Sequence, residues 1–180
     1  MALASGIAWE VRTTSTATVG NMSGGGFKAG ASGSDFSQQD SPQYALTGGT
    51  SAGAGAIILH ASAASDMVGN VLYLVSGTNA TAGWYEITAV SAGVSITVDR
   101  NCTTGVGASI VFNVGGAIAL GTTLDSDLFG AVVAGNTVHV KSGTYTLGEA
   151  VAAGNAGTLT SVIKLVGYNS SRGDNPTAAA

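Results

Sequence analysis

Beyond residue 56 the apolar residues fall into short runs of β-branched and aromatic side chains broken by Gly, Asn and Thr, the pattern of strands and turns. Residues 71–75, 84–90, 94–98 and 109–114 read as strands. In the second, Trp84, Glu86 and Thr88 alternate with Tyr85, Ile87 and Ala89; in the third, Val94, Ile96 and Val98 alternate with Ser95 and Thr97. A period of two places one set on a buried face. Gly77-Thr78-Asn79 and Ser91-Ala92-Gly93 supply turn residues, so 57–114 reads as a small antiparallel β-domain.

The texture changes on either side. Residues 124–135 predict a short helix, with Asp125 or Ser126 as its cap, Leu128 and Val132 on one face and Gly135 past its end. Residues 137–141, 144–147 and 161–166 predict three short strands joined by Ser142-Gly143 and Gly154-Asn155-Ala156-Gly157 corners, which suits the rungs of a parallel β-solenoid over 115–180. Residues 13–56, by contrast, hold no sustained period of 2 or 3.6. So little apolar surface cannot offset the entropy of ordering, which predicts an extended N-terminal arm over 1–56. Its isolated large residues, Trp9, Phe27, Phe36 and Tyr44, are the candidates for docking that arm on another surface.

Composition narrows the chemistry. Gly, Ala, Ser and Thr make up more than half of the 180 residues, and 28 Gly against 2 Pro without a three-residue period excludes collagen and disfavours long helices. Only 9% of residues are charged, and the net charge of −4 with scattered Lys and Arg argues against nucleic acid as a partner. No apolar window is long enough to span a bilayer, and the N-terminus lacks the basic and apolar regions of a signal peptide, so neither a membrane partner nor export is expected. One cysteine, Cys102, excludes an internal disulfide and reads as a small filler residue. With it, His60 and His139 fall short of a structural zinc set, and no metal or other cofactor is expected.

Several phrases resemble a known family. Gly135-Asn136-Thr137-Val138-His139-Val140 followed by Ser142-Gly143-Thr144-Tyr145 resembles the opening rung of the right-handed parallel β-helix of pectin-lyase-like proteins, and Ile163-Lys164-Leu165-Val166-Gly167-Tyr168 with Arg172-Gly173-Asp174 resembles a closing phrase of the next rung. Trp9-Glu10-Val11-Arg12, Gly24-Gly25-Gly26-Phe27 and Asp35-Phe36-Ser37-Gln38-Gln39-Asp40 resemble the N-terminal region of tailed-bacteriophage virion proteins that carry such a helix. Met67-Val68-Gly69-Asn70 with Trp84-Tyr85-Glu86-Ile87 resembles the β-domain between the two. The resemblance implies an all-β protein: arm, antiparallel β-domain, then the first rungs of a right-handed parallel β-helix. It also implies a non-enzymatic structural component of a virion, of the capsid, tail-fibre or tailspike type, partnered by other virion proteins and by copies of itself as a homotrimer. The alternatives are the N-terminal portion of a glycan-binding or glycan-degrading spike, and a bacterial adhesin.

Catalytic readings are weaker. Asp125 and Asp127 form the one close acidic pair and suit a helix N-terminus, where negative charge is favourable. Asp99, Glu149 and Asp174 are far apart in sequence, so no catalytic residue is assigned. The Gly24–Gly26 run is followed by Phe27 and Lys28 with no preceding strand, which does not fit a phosphate-binding loop. Arg172-Gly173-Asp174 reads as a corner.

Overall fold

The structure is a computed structural model and describes residues 3–13, 23–28, 30–31, 33–119, 124–145, 155 and 157–174. Among the described residues it is all-β apart from one helix and one 3₁₀ turn, and these strands do not form a solenoid. Six strands close an antiparallel barrel: β3 (Tyr44–Ser51), β4 (Ile57–Leu59), β5 (Val71–Ala80), β6 (Gly83–Ser91), β7 (Ser95–Val98) and β8 (Thr103–Val114), in the spatial order β3-β4-β7-β6-β5-β8. The 3₁₀ turn, Ser65–Met67, plugs Met67 into the barrel core.

The remaining strands form a small mixed sheet. β1 (Ile7–Arg12) lies between β10 (Thr137–Lys141), to which it is parallel, and the antiparallel β2 (Gly26–Lys28). The short β9 (Ile118–Ala119) runs parallel to the end of β1, and β11 (Lys164–Tyr168) runs parallel to β10 at the sheet edge. The helix α1 (Leu124–Ala131) brings Leu128 and Phe129 against this sheet, and Val132 follows just beyond it.

The barrel interior is filled by alternate residues of its strands: Leu72 and Leu74, Tyr85 and Ile87, Ile96 and Val98, and Ile110, Phe112 and Val114, with Ile58 and Cys102. Six strands leave room for side chains and little else, so this interior is a packed core rather than a channel. β6 shows why a simple two-period fails. Tyr85 and Ile87 point into the barrel, but Trp84 and Glu86 on the opposite face are also buried, because the sheet packs there. Trp84 meets Trp9 edge-on at 5.3 Å between ring centroids and Tyr73 at 4.4 Å, which joins the two layers.

These facts correct the expected architecture. The parallel β-helix is replaced by a closed antiparallel barrel plus a mixed sheet; β1, β10 and β11 are parallel neighbours, but they belong to one flat-sided layer laid on the barrel. The extended N-terminal arm is likewise replaced by structure: β1 is central to the sheet and β3 is a barrel stave. The glycine run explains part of this. A Cβ on Gly24 would lie 2.1 Å from the carbonyl oxygen of Val71, and one on Gly26 would lie 2.6 Å from the Val71 side chain. The run lets β2 approach the barrel backbone rather than leaving the chain loose. Towards the C-terminus, Thr158 and Ser161 exchange backbone hydrogen bonds of 2.9 and 3.2 Å in a tight turn, so the last strand starts at Lys164 rather than at residue 161. Tyr145 is in no named strand, and residues 146–147 of the expected 144–147 strand lie outside the described residues. The expected cap at Asp125 or Ser126 falls inside α1, whose first residue is Leu124.

Candidate functional site

The strongest cluster of chemistry-bearing groups sits on the face of the sheet turned away from the barrel. Along β1 the side chains of Ile7, Trp9 and Val11 enter the apolar core, so Glu10 and Arg12 project to the other side. Glu10 is paired in register with His139, and His139 with Val166, which places the three on one face. Glu10 is fully buried.

Its carboxylate accepts three side-chain hydrogen bonds. Arg172 donates from Nε to Oε2 at 2.9 Å, Arg12 donates from Nε to Oε1 at 3.3 Å, and the Tyr168 hydroxyl donates to Oε1. Each arginine has a second anchor. Arg172 reaches Asp35 Oδ2 at 3.2 Å and Ser37 Oγ at 2.7 Å, while Arg12 donates to Asp40 Oδ1 at 2.5 Å. A buried carboxylate with two guanidinium partners and a phenol is fixed in one place by charge-assisted hydrogen bonds. Burial, and next the hydrogen bond to Glu10, drive the Tyr168 phenol far above its ordinary value, so it stays a donor. Burial, and after it the positive Arg172, push the His139 imidazole below its ordinary value. His139 Nδ1 is buried without a hydrogen-bond partner among the described residues.

This geometry restrains the chain. A general base needs a lone pair within reach of a substrate proton, and Glu10 is fully buried behind Arg12, Tyr168 and Arg172. What the cluster does is tie β1, the 35–40 loop and the 168–174 segment together across sequence separations as large as 162 residues. Asp174 reinforces the last segment: its carboxylate accepts the N–H groups of Asn169, Ser170 and Ser171 at 2.6 to 2.9 Å, and these hydrogen bonds hold its carboxyl below the usual range. A second, shallower cleft of about 290 Å³ is lined by Lys28, Gly69, Glu86 and Thr88, with Lys28 Nζ 3.2 Å from Glu86. Among the described residues no three His, Cys, Asp or Glu side chains are grouped to hold a metal, and no helix is long and apolar enough to cross a membrane.

The four docking candidates are placed in the fold itself. Trp9 is fully buried and donates its indole N–H to Asn136 at 3.1 Å, so it is a core residue while the chain is folded. Phe36 is buried and meets Tyr44 edge-on at 6.0 Å, and the Tyr44 hydroxyl donates to Asp66 at 3.2 Å. Phe27 lies half-buried in β2, opposite Ala8. The structure thus brings the rings of Phe36 and Tyr44 together, while Phe27 forms a β-bridge with Asn70 and the Phe36 backbone N–H donates to the Asn70 side chain. The Glu10 cluster escaped the sequence reading, although one signal was present: an acid between Trp9 and Val11, in a strand whose alternate residues are apolar, needs a cationic partner.

Comparison with protein-family models, with curated proteins and with solved structures finds no match to this chain. The resemblance to β-helical phage virion proteins is corrected on two counts: the fold differs, and neither a family nor a relative supports it.

Proposed function

We propose that the protein is a non-enzymatic structural component of a multi-subunit particle, such as a bacteriophage virion, and that it joins its neighbours through the open edge of its sheet. The observation that carries this reading is β11. It closes the sheet order, with β10 on one side and no strand on the other among the described residues. Lys164 donates its N–H to Asn136 at 3.0 Å and the Tyr168 carbonyl accepts from Ser142 at 2.7 Å, so residues 164 and 168 turn their backbone groups towards β10. By alternation the groups of Leu165 and Gly167 point outward. Leu165 stands in the row that begins with buried Trp9 and Val138, yet 60% of it is exposed; Leu159 and Val162 just before it are exposed as well. An apolar row that stops short, beside an unpaired edge, is the form a sheet takes where a partner strand adds to it.

The test uses purified particles. The chain should co-purify with capsid or tail proteins in fixed stoichiometry, and Leu165→Lys should lower its incorporation about tenfold, the effect of placing an ammonium in an apolar strand contact. Normal incorporation of Leu165→Lys, or turnover of host capsular polysaccharide by the purified chain, would overturn the reading.

A further inference from the structure

The charges of this chain are segregated. Within the six barrel strands Glu86 is the only Asp, Glu, Lys or Arg, and it faces the sheet, where Lys28 pairs with it. No such residue occurs in 41–65, in 87–98 or in 101–124, which together supply β3, β4, β7, β8 and the second half of β6. Ordinary soluble surfaces carry charge on a quarter or more of their residues. Here the barrel wall around β4 carries none, and Ile57, Leu59 and Val94 stand exposed on it.

The same wall carries both a projection and a place to receive one. Leu59 borders two shallow hollows. One, of about 250 Å³, is walled by the small residues of 52–56 together with Ile57. The other, of about 480 Å³, is lined by Gly48, Thr50, His60, Ala61, Gly93 and Val94. A patch that holds an apolar knob beside Gly and Ala hollows is self-complementary, the requirement of a contact between identical faces about a two-fold axis. Charge sets the orientation in which two copies can meet. Two copies of a protein of net charge −4 repel one another, and meeting through uncharged walls buries no ion and keeps the ionised residues on the far sides.

We infer that the uncharged wall centred on β4 is the surface by which a second copy of this chain binds. The inference rests on the structural-component reading but concerns a different surface from the β11 edge. In light scattering after gel filtration the purified chain should run at a multiple of its 17.5 kDa protomer mass. Leu59→Glu, and independently Val94→Glu on the β6–β7 turn, should raise the dissociation constant about a hundredfold by burying a carboxylate without a partner. Near-ultraviolet circular dichroism would show whether each variant keeps its barrel. Leu165→Lys should leave the mass unchanged. A wild-type chain that is monomeric at high concentration, or folded Leu59→Glu and Val94→Glu variants that remain associated, would overturn the inference. Multimers dissolved by Leu165→Lys instead would overturn it while leaving the β11 reading in place.

Discussion

The barrel closes within residues 44–114, each stave pairing with strands drawn from the same 71-residue stretch, whereas the sheet on its flank is gathered from residues 7–168. Their cores differ in kind as well. The barrel interior is a plug of aliphatic and aromatic side chains. The sheet has one apolar face against the barrel and a second face held by the ion network around Glu10. Hydrophobic burial is non-directional and suffices for a closed barrel, where every strand has two neighbours. A sheet assembled from remote segments has to fix register against a large loop-closure entropy, and charge-assisted hydrogen bonds with defined geometry do that. The two regions thus show one chain using shape where contacts are local and ion pairing where they are not.

The widest separation between the two regions is expected from Glu10→Ala. Removing one member of a buried ion pair costs about 3 to 5 kcal/mol. The low end applies, because Arg12 keeps Asp40 while Arg172 keeps Asp35 and Ser37. Urea unfolding should therefore show a loss of about 3 kcal/mol, and hydrogen exchange should place it in β1, β10 and β11, with β5 and β8 still protected. Equal loss of protection in the barrel would mean that the two regions fold as one unit, and the contrast between them would have to be abandoned.

The same contrast governs what the amino-acid sequence discloses. The strands over 71–75, 84–90, 94–98 and 109–114 are legible because their alternation is local, and each falls largely within a barrel stave; of the two expected turns Ser91-Ala92-Gly93 fits, whereas Gly77-Thr78-Asn79 lies inside β5, which runs on to Ala80. Barrel closure is not legible, since it depends on β3, whose Gly48-Gly49 and polar residues hide a stave paired to β8. β1 is obscured for a related reason. It lies in a small-residue context, and the partners that make Trp9 a core residue, Trp84 and Asn136, are 75 and 127 positions away. The parallel strands β10 and β11 are recognisable as neighbours, yet the pattern that marks them says nothing of β1, which lies beside them and turns a solenoid-like phrase into an ordinary sheet. The Glu10 site fails to show for the same cause: Glu10 and Arg172 meet only once the sheet is assembled.

A smaller effect should distinguish the barrel. Cys102 is fully buried, and burial pushes its thiol up to about 11 from an ordinary value near 9. A folded-state value above the unfolded one contributes stability that is complete below about pH 9 and is lost as the pH rises towards 11. Stability measured across that window should fall for the wild type, by at most about 2 to 3 kcal/mol, and fall less steeply for Cys102→Ala. Alkylation of Cys102 at pH 8 should proceed only through barrel opening, so Glu10→Ala should leave its rate close to that of the wild type. Rapid labelling of the folded chain would show that the barrel end near Cys102 is open, and would remove the case for a self-sufficient plug.

The smallest change is expected at the outer end of the sheet, where Asp174 organises the turn that delivers Arg172. Its carboxylate is exposed and accepts three backbone N–H groups, which favour the charged form and lower its titration below the ordinary range. A depressed carboxylate contributes stability above its unfolded value, and that contribution disappears as the pH falls through the folded value. Acidification below the usual carboxylate range should therefore loosen the 169–171 turn, and with it the segment that delivers Arg172 to Glu10. Asp174→Asn should reproduce the loosening at neutral pH: faster exchange of the Asn169, Ser170 and Ser171 amides, little change in the denaturation midpoint, and no change in Cys102 labelling. If Asp174→Asn instead destabilises the sheet as much as Glu10→Ala does, the turn and the ion network act as a single unit, and the restraint on the sheet extends to its exposed edge.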